Sequence, residues 1–174
     1  HACELLARMH WKDEGALLAG LRANLSRPNA LDRSHAAAAL GSLHLSEATP
    51  DLLVLLEDSD PDVVRAAAQA LTRLDESVAL PAIRGALECF DWHETRRDLA
   101  VCLARLGDPI GVSVLLDGLD HRDDLLRKSS FDAFFSVTGV HMCYEPLAPR
   151  EERLEKLALL RAWWAEEGGP DLLV

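Results

Sequence analysis

The sequence lacks the features that mark membrane, nucleic-acid-binding and disulfide-rich proteins. It has only 4 cysteines and no C-x-x-C pair, which is too few for a disulfide scaffold. No apolar run approaches the roughly eighteen residues that a membrane helix needs. Aromatic residues make up 5%, and 18 Lys and Arg face 29 Asp and Glu, so the chain is a poor match for phosphates. We therefore predict no membrane span, no nucleic-acid partner and a reducing, cytoplasmic compartment.

What is present is an apolar, acidic chain of 174 residues, 49% hydrophobic and with a formal net charge of -11. Such a composition is typical of a globular domain rather than a disordered chain. The sequence begins at His1 rather than at Met. We therefore expect an excised domain, a processed chain or the end of a tag, and, together with the repeats described below, we expect the C-terminal part of a longer chain.

A pattern of small residues followed by leucines recurs along the chain. It occurs first at residues 36–43, with the sequence AAAALGSL, and again at residues 67–74, with AAQALTRL. The anchor positions of the four copies are Leu40, Leu71, Leu103 and Phe134. They are spaced by 31, 32 and 31 residues, which is a period typical of helical repeats.

A second set of apolar residues precedes the first with the same period. Its members are Leu25, Leu56, Leu87 and Leu119, each preceded four residues earlier by Leu21, Leu52, Ile83 and Leu115. Apolar residues at positions i and i+4 indicate a helix with one buried face. Each period therefore predicts a hairpin of two helices, and the absence of two-residue alternation predicts an all-α fold.

The turns between the helices carry capping residues. Asp60 and Pro61 suit an N-cap and the first helical position of a second helix. Gly107 and Pro109 are placed to end one repeat and to open the next. These residues predict where the helices begin and end.

The segment at residues 60–71, DPDVVRAAAQAL, resembles the bacterial HEAT-like repeat that occurs in phycobilin lyase subunits. The resemblance implies a right-handed α-solenoid of the armadillo-like kind, in which stacked hairpins bind other proteins. It does not identify the ligand, because one fold serves many functions.

The repeat register predicts a domain organisation of repeats followed by an end piece. We expect a half repeat at 1–14, then four repeats at about 15–45, 46–76, 77–108 and 109–139. Residues 140–174 are predicted to form a loop, a capping helix and a tail. The capping helix, from about 151 to 167, carries Leu154, Leu157, Leu160 and Trp164 near one face. Phe131, Phe134 and Phe135 are expected to fill the space beneath it.

Clusters of chemically active side chains are few. His93-Glu94 is similar to the His-Glu pairs by which deoxyhypusine hydroxylases hold two irons, but other repeats lack such a pair. The group His121-Arg122-Asp123-Asp124 and the pair His141 and Cys143 have neither zinc nor calcium spacing. We read the first group as a solvated turn at a helix start. We predict no catalytic residue, no metal site and no cofactor.

Basic residues form a short ladder six residues before three of the anchors, at Arg65, Arg97 and Lys128. They could bind an acidic partner. The structural alternative, which the resemblance favours, is that each cation pairs with a carboxylate of its turn, such as Asp62 or Glu94. Exposed pairs of this kind contribute little stability individually.

The resemblance implies that the second helices line the concave side of the solenoid and bind a protein there. The candidate partner-binding residues on these helices, away from the apolar ladders, are His35, Gln69, Arg73, Asp98, Arg105 and Asp132. The predicted function is a non-catalytic protein-interaction scaffold. Two alternatives stay open: a chromophore-lyase-like subunit of the phycobilin type, and a structural spacer within a larger protein.

Overall fold

A computed structural model of the chain describes residues 14–90, 93–140 and 143–166. In these residues all regular structure is helical, as the apolar periodicity predicts. The chain divides into two compact units, His1–Phe90 and Asp91–Val174, which we call the N-terminal unit and the C-terminal unit. The predicted half repeat at 1–14 lies almost wholly outside the described residues.

The N-terminal unit consists of helical hairpins that are joined by short turns. Its described α-helices are α1 (Glu14–Leu25), α2 (Ala30–Ser42), α3 (Thr49–Val54), α4 (Pro61–Arg73) and α5 (Leu80–Cys89). Short 3₁₀ segments lie at Ser46–Ala48 and Leu55–Glu57 on either side of α3, and at Ser77–Ala79 before α5. The first helix of the second hairpin is thus tighter at its ends than a uniform helix, as is common at helix termini.

The close packing of α2 against α4 forms the centre of the N-terminal unit. The anchors Leu40 and Leu71 are fully buried, and the alanines beside them are buried too. A Cβ atom added to Gly41 would lie 2.6 Å from the Cα of Ala70, inside any normal contact. The small residues of the repeat therefore allow the two helices to approach closely.

Both second helices of the N-terminal unit begin at side-chain caps. The side chain of Asn29 accepts a hydrogen bond from the backbone N–H of Leu31 at the start of α2. Asp60 accepts one from the N–H of Asp62, and Pro61 opens α4. The predicted cap at Asp60 is confirmed, and each cap satisfies a backbone donor that has no partner within the helix.

The second helices also end alike. After α2, α4 and the corresponding helix of the C-terminal unit, one residue has a positive φ: His44 at 54°, Asp75 at 56° and Gly107 at 83°. The backbone N–H of the residue that follows each of them donates to the carbonyl of an anchor leucine, namely Leu40, Leu71 or Leu103. This is a Schellman motif, which supplies partners to carbonyls at the helix end. The prediction that Gly107 ends a helix is confirmed.

The C-terminal unit continues the same pattern of helices. Its described α-helices are α6 (His93–Arg105), α7 (Pro109–Gly118), α8 (Asp124–Thr138) and α9 (Arg150–Glu166). Asp108 caps α7 through the N–H of Ile110, and Pro109 opens it as predicted. The fold of both units is thus the predicted class, an α-solenoid of stacked helical hairpins. The handedness of the stack and the repeat boundaries stay predictions.

The core of the C-terminal unit is aromatic beneath α9. Phe131 and Phe134 are buried in one cluster with Leu157 and Leu160 of α9. The expectation that Phe135 joins them is wrong, because 46% of it is exposed. The loop before α9 instead supplies Tyr144, a fully buried residue whose hydroxyl donates to the Leu119 carbonyl at 2.6 Å.

Candidate functional site

Three of the candidate partner-binding residues lie on the second helices of the N-terminal unit. His35 of α2 and Gln69 and Arg73 of α4 are all exposed. Arg73 Nη1 donates to Ser42 Oγ at 3.1 Å, a contact that spans 31 residues, one repeat period. Gln69 and Arg73 are four residues apart and so share a face of α4. The structure therefore brings Arg73 to the last turn of α2 and leaves a polar, exposed surface there.

The other three candidates lie on the second helices of the C-terminal unit. Arg105 of α6 and Asp132 of α8 are exposed. Asp98 is half-buried and accepts hydrogen bonds from Arg97 Nε at 2.9 Å and Arg97 Nη2 at 2.8 Å. Asp98 is thus already engaged in an ion pair with its neighbour in α6.

Two of the three residues of the basic ladder, Arg65 and Arg97, form ion pairs within the chain. Arg65 Nη2 lies 2.7 Å from Asp62 Oδ1, which is the turn carboxylate that the structural alternative names. Arg97 pairs with Asp98, its neighbour in α6, rather than with a turn residue. Lys128 is exposed on α8. For Arg65 the structure therefore favours the structural alternative, whereas Arg97 is paired within its own helix and not with the carboxylate of its turn.

A different set of arginines, one residue earlier in the repeat, holds the turns together. The Arg33 guanidinium forms a bidentate pair with Asp58, with Nε–Oδ2 at 2.7 Å and Nη2–Oδ1 at 2.8 Å. Its Nη1 donates to the carbonyls of Arg27 and Pro28, both at 2.9 Å. The side chains of Arg33 and Asp58 are only 15% and 11% exposed. This group, which we call the arginine clamp, ties the turn of one hairpin to the turn of the next.

The electrostatics of the clamp favour the charged forms of both Arg33 and Asp58. Burial of Asp58 raises its pKa, but the hydrogen bonds from Arg33 and from the Asp60 backbone outweigh burial and leave the pKa below its ordinary value. The hydrogen bond to Asp58 likewise raises the pKa of Arg33. The ion pair is therefore fully charged at neutral pH.

Arg127 repeats the clamp in the C-terminal unit. Its Nη1 donates to the carbonyls of His121 and Arg122, which lie six and five residues earlier in the chain. The two carbonyls that accept from Arg33 Nη1 lie at the same distances before Arg33. Arg127 Nε donates to the Pro146 carbonyl at 2.9 Å, and its Nη2 donates to Asp124 Oδ1 at 2.5 Å, so a backbone carbonyl and a carboxylate of α8 itself replace the carboxylate of a neighbouring turn. Only 4% of the side chain is exposed. The sequence contained a signal for this set in Arg33, Arg96 and Arg127, but Val64 occupies the intervening copy and interrupts the series.

The turn at His121–Asp124 acts as a helix start. Asp123 accepts hydrogen bonds from the N–H groups of Leu125 and Leu126 and caps α8. The bond from Leu126 is the largest cause that lowers the pKa of Asp123. His121 Nδ1 accepts from the Asp123 N–H at 3.0 Å. These contacts support the interpretation of the group as a capped turn.

The remaining clusters of ligand-like residues are only partly described. The side chain of His93 and the whole of His141 lie outside the described residues, while Cys143 is exposed. Within 14–90, 93–140 and 143–166, no group of three or more His, Cys, Asp or Glu side chains is placed to hold a metal ion. In the same residues no helix is both long and apolar enough to cross a membrane.

Both units contain a cavity that is lined by described residues. In the N-terminal unit, a partly open cavity of about 440 Å³ lies between the turn after α3 and the end of α5, beside Gly85, Cys89 and Phe90. In the C-terminal unit a smaller cavity of about 200 Å³ lies among α6, α7 and α8. The walls of the smaller one include Arg96, Arg97 and His121, so it is the more polar in character. Neither cavity was predicted, because their walls come from residues far apart in sequence.

Comparison with known proteins supports the repeat reading. The family model of HEAT repeats matches residues 16–93, which cover most of the described part of the N-terminal unit and the first residues of the C-terminal unit. No curated protein matches the chain. Beyond residue 93 the repeat is supported by side-chain and backbone contacts that recur in register, such as those of Gly107 and Arg127.

Proposed function

We propose that the chain is a non-catalytic scaffold that binds a protein partner through the exposed face of its second helices. HEAT repeats generally mediate protein–protein interaction. The observation that carries the proposal is the surface formed by His35, Gln69 and Arg73 on α2 and α4. These side chains are exposed, while the opposite faces of both helices are buried in the repeat core.

The rigidity of this surface supports a role in recognition. Gly41 lies against Ala70, and Arg73 bonds to Ser42, so α2 and α4 are held side by side and present their exposed residues from packed helices. A preformed surface loses little conformational entropy when a partner binds. Its mixture of Arg, His and Gln suits a polar partner surface with acidic groups.

The proposal is tested by comparing three forms of the immobilised chain in a native lysate, with bound proteins quantified by mass spectrometry. The first form is the wild type and the second is Arg73→Glu/Arg105→Glu. The third is Arg84→Glu/Arg150→Glu, which carries the same net charge with both changes outside the second helices. A partner retained by the wild type and the third form, and at least tenfold depleted from the second, supports the proposal.

Equal retention by all three forms would place the binding surface elsewhere and overturn the second-helix proposal. Loss from both variants would make net charge, rather than this surface, the determinant. The far-ultraviolet circular dichroism of each variant shows whether it is folded, so that unfolding is not mistaken for lost binding. A partner found in this way is then remeasured with purified protein by calorimetry.

A further inference from the structure

The cavity of the N-terminal unit is formed by first helices of the hairpins rather than by second helices. Its walls come from residues 56–58, at the end of the 3₁₀ segment after α3, and from one face of α5. Its volume of about 440 Å³ falls in the range of about 300–1,000 Å³ that holds drug-sized ligands. Glu57, Gly85 and Cys89 of the wall are exposed, so a small molecule can enter from solvent.

The space exists because α5 carries small residues where the preceding first helix carries larger ones. Gly85 and Ala86 follow Val54 and Leu55 by 31 residues, which is the repeat period. Leu55 and Ala86 are both buried, at 7% and 5% exposed, so the smaller side chain leaves volume at the wall. A Cβ atom added to Gly85 would meet no atom within 4 Å. The open volume is therefore a property of this hairpin and not of the repeat in general.

The wall of this cavity is mainly apolar and carries one carboxylate without a partner. Leu56 is buried and Phe90 is half-buried, so an aliphatic and an aromatic side chain face the space. The charge of Asp58 is neutralised by its bidentate pair with Arg33. The side chain of Glu57 forms neither an ion pair nor a hydrogen bond within the part of the chain that the structure describes. None of the described lining residues is basic.

A ligand that suits these walls has an apolar body and a positive charge. An apolar body placed against Leu56 and Phe90 removes apolar surface from water. A protonated amine at the opening would face the Glu57 carboxylate, and the face of an aromatic ring such as that of Phe90 attracts cations at short range. The net charge of -11 on the chain further favours the approach of a cation over that of an anion.

We propose that this cavity binds a small organic cation, namely an amine with an apolar aliphatic or aromatic body. The ammonium group pairs with Glu57 at the opening, and the body lies against Leu56, Ala86 and Phe90. None of the described lining residues is among the candidate partner-binding residues on the second helices. The tests of this site and of the proposed function can therefore fail separately.

The exposed thiol of Cys89 at the wall reports whether the cavity is occupied. Phenylpropylamine is added to the wild-type chain at neutral pH, and alkylation by iodoacetamide, a neutral reagent, is followed by peptide mass spectrometry. At an amine concentration of about ten times Kd, the rate at Cys89 should fall about tenfold, because only the unoccupied fraction reacts. Cys143, which is also free and exposed, is the internal control and should react at an unchanged rate.

Three probes that share one body and differ in charge test the preference for a cation. They are phenylpropylamine, the neutral phenylpropanol and the anionic phenylpropionate. Protection of Cys89 should be strongest with the amine and weakest with the carboxylate. Equal protection by all three probes, or protection by none, would overturn the proposal. N-acetyl-lysine N-methylamide carries the ammonium group on a peptide unit, and protection by this probe alone would overturn the small-molecule assignment in favour of a partner's lysine.

Gly85→Leu locates the binding to this cavity, with affinity measured by calorimetry. The new side chain enters the cavity and should remove saturable binding of the amine and of phenylpropanol alike. The variant should still fold, because an added Cβ meets nothing within 4 Å and leucine is a good helix former. Gly20→Leu, which also adds a side chain to a helix where a Cβ meets nothing within 4 Å, should bind like the wild type. A folded Gly85→Leu variant that keeps wild-type affinity would disprove the location.

Glu57→Gln tests the charge of the site. It should weaken binding of the amine about two- to fivefold, as expected for loss of an exposed ion pair, and leave binding of phenylpropanol unchanged. Glu47→Gln removes another exposed carboxylate of the same unit and should alter neither affinity. If Glu57→Gln kept the full preference for the amine over phenylpropanol, the pairing with Glu57 would be wrong.

Discussion

The two units share one frame of helical hairpins but fill it differently. In the N-terminal unit, alanines and leucines bring α2 and α4 together until Gly41 lies against Ala70. In the C-terminal unit, Phe131, Phe134 and Tyr144 form a bulkier core beneath α9. The contrast shows that the turns and caps define the repeat, while the core residues adapt to what lies next to it.

The largest expected effect separates the two kinds of core. Phe134 is fully buried against residues of α9, so Phe134→Ala should lower the free energy of unfolding by about 3–5 kcal/mol. Protection of amides against hydrogen exchange should fall first at residues 93–140 and 143–166. Chemical denaturation gives the stability, and exchange read by mass spectrometry gives the place.

The counterpart in the N-terminal unit is Leu71→Ala, with an expected loss of about 2–5 kcal/mol, because Leu71 is fully buried in α4. Exchange should then increase first at residues 14–90. If both variants accelerated hydrogen exchange equally across the chain, the two units would unfold as one. The units would then differ in the composition of their cores but not in their stability.

A smaller effect tests the close approach of α2 and α4. Gly41→Ala adds a methyl group that would overlap Ala70, so we expect a loss of about 1–3 kcal/mol from overpacking. Gly20→Ala is the control, because an added Cβ there meets nothing within 4 Å and alanine has the higher helix propensity. A Gly41→Ala variant as stable as the wild type would show that the helices can separate at little cost.

The arginine clamp predicts a dependence of stability on pH. The folded-state pKa of Asp58 lies below the ordinary value of 3.8, so the stabilisation is complete above that value. It is lost as the pH falls through the lower folded-state pKa. Asp58→Asn should therefore cost about 1–3 kcal/mol at pH near 7 and progressively less below about pH 4.

Urea denaturation at several pH values measures this difference. The control is Ser59→Ala, a change at an exposed, non-titrating residue of the same turn, which should keep the wild-type pH profile. A gap between wild type and Asp58→Asn that stays constant down to about pH 2 would contradict a charged clamp.

The smallest expected effect compares the helix ends. Asp75 has a positive φ at the position where the C-terminal unit has Gly107. Because non-glycine residues are strained in that conformation, Asp75→Gly should raise the free energy of unfolding by up to about 1 kcal/mol. Gly107→Asp should lower it by a similar amount. Thermal unfolding of both variants checks whether the shifts have opposite signs.

The repeat could be predicted from the sequence because apolar residue types indicate which positions are buried. Leu40 and Leu71 are buried as their period requires, and Asp60 caps a helix as its place before Pro61 requires. An Asp N-cap and a Pro at the first helical position affect only the next few residues, so their roles can be predicted without knowledge of tertiary contacts.

The clamp and the cavities were not predicted because they depend on contacts between distant residues. Arg33 and Asp58 are 25 residues apart, and nothing local distinguishes them from surface charges. Tyr144 lies in a segment that reads as a loop, yet its ring packs 5.3 Å from that of Phe131 and its hydroxyl finds the Leu119 carbonyl. Phe135, one residue from a buried phenylalanine, faces outward because of helical geometry alone.

The close contact between Gly41 of α2 and Ala70 of α4 has a mechanical consequence. Because Ala70 lies directly against the bare Cα of Gly41, the close approach of α2 and α4 requires these two residues to stay opposite each other. Under a pulling or bending load, α2 and α4 should therefore move together as one stiff element. The strain would then pass to the turns outside this contact, where side-chain hydrogen bonds such as those that Asp58 accepts from Arg33 and from the Asp60 N–H resist it.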